Sequence, residues 1–299
     1  MDNLSTLEVC EKAKIEVRED ESRKQQSLEQ FREWIGKHPF IKNCRTDDGY
    51  LLPFLRSKKY NMNRVFDSFE KALIFAKEHE DWFDWKGEKL QKVFDLLDTG
   101  FLKVLKNRDR DGRRVILCNN EMDLDKFTAD DVFRLNCVVV LALANEEITQ
   151  LCGVTYIDDF TSATMKYITM FPLKSIYDFT VQLRATPIRL KNIILVGLPS
   201  FATQFVNIVK LGLSEVMNKR LQTLNDNTEL WNFVDKSLVT KDYGGDADEK
   251  EAIEDFRKVI DENIDFVRNF FDYEIDMVKA EILKDTHENV GSFRKLEID

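Results

Sequence analysis

NIILVGLPSFATQFVNIVKLGLSEVMNKRLQTL, Asn192 to Leu224, reads as strand, helix, strand. NIILVGL is an apolar run of strand length, and a short β-prone segment returns near Arg220 to Leu224. Between them a helix is expected over Phe201–Met217. At roughly 100° per residue, Phe205, Val206, Ile208, Val209, Leu213, Val216 and Met217 sweep about half its circumference. That is wider than the ~100° stripe an ordinary surface helix buries, so one apolar neighbour would not cover it.

The same alternation extends upstream. GVTYIDDF, Gly153–Phe160, is a buried-strand candidate, preceded by a helix near Ala129–Gln150 and followed by a helical region from Ser162 to Ala185. Strands separated by helices require crossover connections, which predicts an α/β core with a mostly parallel sheet. In GFLKVLKNRDRDGRRVILCNN, Gly100–Asn120, two β-prone runs flank Asp111-Gly112, a hairpin signal because Gly supplies the positive φ of a tight turn. NTELWNFV, Asn227–Val234, reads as a capped helical turn.

Before residue 97 the chain reads as a helical bundle: a charged helix over about 5–35 ended by Gly36 and Pro39, then two shorter ones. The first of these carries Leu51, Leu52, Phe54 and Leu55 behind N-cap candidates Thr46–Asp48; the second carries Val65, Phe66, Phe69, Leu73, Phe75 and Ala76. YGG at Tyr243–Gly245 closes the core. Beyond it, apolar residues from Ala252 to Ile282 keep a 3-to-4 spacing, predicting one or two long amphipathic helices over Asp248–Lys284. Their apolar face is expected to pack within the chain. The expected division is 1–97, helical; 98–246, α/β; and 247–299, helical extension.

Composition restricts the function. With 299 residues, 43% of them apolar, the chain can bury a large core, and a net charge of −10 argues against a nucleic-acid binder. Cys10, Cys44, Cys118, Cys137 and Cys152 are odd in number and lack a CxxC pair, so a reducing, cytoplasmic setting is expected. No secretory signal, membrane span or lipidation box is read. His38, His79 and His287 are scattered, and GxSxG, GxGxxG and phosphate-loop patterns are missing, so no catalytic residue, metal or cofactor is expected. Asp158-Asp159 at a strand end read first as a helix cap. Arg189, Lys191, Lys210, Lys219 and Arg220 read singly as solubilising charges, and together as a phosphate-binding patch beside an apolar surface.

The order of these pieces resembles the CRAL-TRIO lipid-transfer family over roughly residues 25–245. The resemblance rests on DDGYLLPFLRSKKYNMNRVF (Asp47–Phe66), NRDRDGRRVIL (Asn107–Leu117), QLCGVTYIDDF (Gln150–Phe160), the Thr186–Leu221 block and the closing DYGG (Asp242–Gly245). It implies an N-terminal helical bundle on an α/β domain whose sheet floors an apolar pocket, with the helix from Phe201 as gate over one small lipophile. The implied lining is Ile116, Cys118, Phe133, Cys137, Val140, Tyr156, Asp158, Phe160, Phe171, Ile176, Phe179, Ile194, Phe201, Phe205, Val209 and Leu213, with Tyr156 and Cys137 as polar handles. A membrane surface is the implied second partner, with a phosphoinositide as candidate lipid.

Against the family pattern, Leu211 and Gly212 replace a proline and a phenylalanine, and glycine within a helix costs ~1 kcal/mol, a weak point in the gate. Lys58, Arg189, Lys191 and Arg220 fall on basic positions, while Val216 stands where another member has lysine and Pro53 replaces an arginine. The expected function is non-enzymatic binding and transfer of a tocopherol, retinoid, carotenoid, sterol or fatty-acyl lipid by a cytoplasmic, peripherally membrane-associated monomer. The alternatives are a scaffold whose pocket is filled by its own side chains and, ranked lowest, an enzyme acting on a lipid.

Overall fold

A central sheet of five strands organises the chain. The computed structural model describes residues 6–282, so His287 and the end of the expected C-terminal helix lie outside the described residues. In chain order the elements are α1 (Thr6–Lys12), α2 (Glu21–Lys37), β1 (Ile41–Cys44), α3 (Asp48–Ser57), α4 (Met62–Glu78), α5 (Gly87–Asp98), β2 (Leu102–Val104), β3 (Arg114–Asn119), α6 (Ala129–Ala144) and α7 (Glu147–Cys152). After these come β4 (Val154–Asp159), α8 (Met165–Thr169), α9 (Leu173–Gln182), β5 (Leu190–Val196), α10 (Thr203–Gly212), α11 (Glu215–Asn218), β6 (Leu221–Leu224), α12 (Glu249–Arg268) and β7 (Tyr273–Ile275).

The sheet order is β2-β3-β4-β5-β6, with β2 antiparallel to β3 and the other pairs parallel. The β2–β3 connection carries Gly112 at φ 82°, the conformation its sequence required. One sheet face meets the helices; the other buries Val115, Leu117, Ile157, Ile194 and Val196 against Leu230, Val234, Val239 and Tyr243 from the segment after β6, which includes two 3-10 turns. Between Val154 and Thr155 the β4–β5 register slips by one residue, and this bulge reverses which β5 side chains face which way beyond it.

Several long helices expected from periodicity are broken. The N-terminal one is interrupted at Arg18, in the left-handed region at φ 63°. The helix expected to end before Gly36 instead runs to Lys37. Ala129–Gln150 divides at Asn145, and Ser162–Ala185 divides before Pro172, which cannot continue α8. The helix expected over Phe201–Met217 is α10 and α11, with Leu213 extended between them at ψ 148°. The break coincides with a close approach: a Cβ on Gly212 would lie 2.7 Å from Thr180 Cβ on α9.

At the C-terminal end α12 packs on α5, α6 and β2, burying Ala252, Phe256, Ile260 and Val267. Past Arg268 the expected helix is interrupted: β7 pairs antiparallel with β1, before helical residues 277–282. Phe270, in the turn between α12 and β7, joins Tyr50, Phe54 and Phe69 in an aromatic cluster that fixes the bundle.

Candidate functional site

The helix-facing side of the sheet does not close completely. A cavity of about 160 Å³ lies between β3–β5 and helices α6, α8, α9 and α10. Ile116 and Cys118 of β3, Val154, Tyr156 and Asp158 of β4, and Leu190, Ile193 and Leu195 of β5 make the floor. Val132, Phe133, Asn136 and Val140, spaced at helical intervals on α6, make one wall. Phe160, Tyr167, Phe171, Ile176, Phe179 and Thr180 make another, and Phe205, Val206, Val209 and Leu213 close the top.

Three sequence-expected residues lie elsewhere. Ile194 points into the opposite core, because the bulge after Leu190 puts Ile193 and Leu195 on the cavity side. Phe201 sits in the 3-10 turn before α10 and is 37% exposed, while Ala202 beside it is buried. Cys137 lies one helical step beyond the Val132–Asn136–Val140 stripe, packed in the core; burial pushes its thiol up to about 12, and it offers no handle. The other expected lining residues do border the cavity.

Sequence reading named Tyr156 and Asp158 but missed Asn120, just after β3, and Tyr167 of α8, which join them at the cavity. Tyr167 Oη donates to Asn120 Oδ1 at 2.6 Å, and Asn120 Nδ2 donates to Asp158 Oδ1 and to the Asp159 carbonyl, both at 2.8 Å. Tyr156 Oη donates weakly to Asn136 Oδ1 at 3.4 Å. The signal was absent because Asn120 and Tyr167 reach Asp158 from separate segments.

Burial raises the Asp158 carboxyl to about 7, with the neighbouring Asp159 charge adding to the rise and hydrogen bonds from Asn120 and Cys118 opposing it. The folded chain therefore keeps this proton where the unfolded chain has lost it, and stability falls as pH rises from about 4 to 7. Asp158→Asn is expected to raise Tm at pH 8 by ~3 °C, on the order of 2 kcal/mol, with the gain vanishing toward pH 4. Thermal melts across pH check this; a pH-independent change would contradict it.

The basic residues divide into two groups. Lys58 Nζ donates to the carbonyls of Arg184 (2.9 Å) and Thr186 (3.4 Å), and burial lowers it to about 8. Arg220 Nη1 donates to Leu190 O at 2.6 Å and Arg189 Nη1 to Leu151 O at 2.5 Å, so these three gather at the start of β5. Glu16, from the π-turn after α1, reaches Arg189 at 3.1 Å and Lys191 at 2.9 Å. Burial pushes the Glu16 carboxyl up, but hydrogen bonds from Lys191 and Arg189 outweigh it and leave the group below its usual range. Lys210 is exposed on α10, and Lys219 pairs at 2.7 Å with Glu215 in solvent.

Among the described residues no cluster of His, Cys, Asp or Glu is arranged to hold a metal, and no helix is long and apolar enough to cross a membrane. Comparison with known proteins matches residues 98–245 to the CRAL/TRIO domain. Clavesin-1 of Xenopus laevis is 25% identical over 80% of this chain and 73% of its own, and human Clavesin-2 is 23% identical over 80% and 74%. The crystal structure of Sfh5 aligns with 78% of this chain and 92% of its own, at 12% identity and a TM-score of 0.49.

Proposed function

We propose, from the premise that this chain belongs to the CRAL/TRIO domain family, that it binds one small lipophile in the cavity beneath α10 and carries it between membranes. The family is known for binding and transferring small lipophilic ligands. The observation that carries the reading to this chain is a helix apolar on two sides. Phe205, Val206 and Val209 line the cavity, while Leu211 is 74% exposed. Met165, Leu173, Tyr177 and Val216, on the elements around the cavity, are also exposed. An exposed apolar surface next to a lidded apolar cavity suits contact with lipid.

The void of about 160 Å³ is smaller than the ~300–1,000 Å³ of ordinary ligand pockets, so a whole lipid requires α10 to move outward. The extended Leu213 after Gly212 supplies a hinge. The carrier acts without catalysis, as a cytoplasmic monomer that visits membranes; the intramolecular burial of α12 supports the single chain. Transfer of labelled sterol, retinol and tocopherol from donor to acceptor vesicles tests the function. A rate that grows with protein concentration is expected; no transfer of any of them would contradict it.

Membrane attraction is restrained by Glu16, whose one carboxylate pairs with both Arg189 and Lys191. Glu16→Ala is expected to raise binding to phosphatidylserine vesicles about fivefold, ~1 kcal/mol for one freed cation, and the gain should vanish at high salt. Co-sedimentation measures it.

A further inference from the structure

The polar groups of the cavity are few, and most gather around Asp158; Thr180 on α9 spends its hydroxyl hydrogen on the Ile176 carbonyl, and Asn136 on α6 bonds Tyr156 and the Val132 carbonyl. The hydrogens of Tyr167 Oη and of Asn120 Nδ2 are spent within the cluster. Asp158 is different. It accepts an amide hydrogen from Asn120 on Oδ1 and a weak bond from the Cys118 thiol, it borders the cavity, and its surface is only partly covered. The groups facing it are Cys118 of β3, Asn120 after β3, Asp159 and Tyr156 of β4, and Tyr167 of α8; none is a cation.

We infer that the carried lipophile is an uncharged alcohol, its hydroxyl seated against Asp158 and Tyr156 and its hydrocarbon against Phe133, Phe171 and Phe205. This rests on the carrier reading and names the head group that reading leaves open. A hydroxyl can accept from the protonated carboxyl and donate to the ionised one, so it meets Asp158 in either state. A carboxylate would bring a second negative charge beside Asp158 and Asp159 in a low-dielectric site. An ammonium would have to leave water for walls that are otherwise apolar, a desolvation that pairing rarely repays. Titration of Asp158 near neutrality makes the rejection of carboxylates steeper as pH rises.

The test is displacement of Nile Red by tail-matched probes: octadecanol, octadecanoic acid and octadecylamine, and retinol against retinoic acid, at pH 6 and pH 8. In the wild type the alcohol of each series is expected to compete about tenfold better than the acid, with the gap widening at pH 8. Asp158→Leu should weaken the alcohol about tenfold and spare or improve the acid, whereas Asp158→Asn, which keeps shape and hydrogen bonding, should retain the alcohol and lose the pH dependence. A merely structural role would weaken both head groups alike. Equal binding of acid and alcohol, or an amine that binds tightest, overturns the head-group assignment and leaves the carrier reading standing. If neither Nile Red nor any probe binds folded protein, the carrier reading fails and this inference falls with it.

Discussion

Val140→Trp is expected to empty the protein of lipophile while leaving it folded. Val140 is half-buried on α6 and its side chain borders the cavity. An indole there would occupy much of the roughly 160 Å³ that a ligand must enter. Overpacking a filled core costs ~1–3 kcal/mol, but here the added atoms enter a void and gain contacts the wild type lacks. Uptake of a fluorescent lipophile should fall by about tenfold or more, a loss exceeding ~1.4 kcal/mol, with Tm unchanged or raised. A folded variant that loads normally would place the ligand somewhere else.

Arg56→Ala is expected to cost the most stability. Arg56, 4% exposed on α3, makes a two-pronged bond to Glu19 at 2.7 and 2.8 Å. It also donates to Gln150 at 2.7 Å and Glu147 at 3.0 Å on α7. Tyr60 Oη completes the group with a 2.6 Å bond to Glu19. Burial pushes the Glu19 carboxyl up, and the bonds from Arg56 and Tyr60 more than reverse it. Removing the guanidinium strands this carboxylate in the interface between the N-terminal helices and α7, a loss of about 3–5 kcal/mol. Chemical denaturation should show that loss, largest above the ordinary carboxylate range, where Glu19 must stay charged. Paired replacement of Arg56 and Glu19 by Met should recover part of it.

Much of the fold was legible in the sequence, because local spacing carries it. The apolar run GVTYIDDF marked β4, the family resemblance put Tyr156 and Asp158 in the lining, and helical patterning found the segments that became α6, α9 and α12. The illegible part depends on distant partners. Ile194 was misplaced because a bulge, which no local residue announces, slips the register against β4. The α10–α11 break falls at Gly212, the glycine that marked a weak point in the sequence, but the close approach of Thr180 from α9 at that position was not local information. The β1–β7 pair joins segments from the two ends of the chain, each too short to signal a strand. Glu16 sits on a charged N-terminal segment that reads as solvated helix until Arg189 and Lys191 are brought to it. The same physics hid the partners of Asp158: Asn120 and Tyr167 are ordinary loop and helix residues, and folding alone sets them against it.

The central claim is that the cavity under α10 holds a lipophile, and native mass spectrometry of the purified protein, paired with organic extraction of the same sample, tests it most directly. The expected result is one neutral alcohol of lipid size per chain, retained by the wild type and absent from Val140→Trp. A wild-type protein that arrives empty, and stays empty after incubation with sterol, retinol, tocopherol and fatty alcohol, would contradict it.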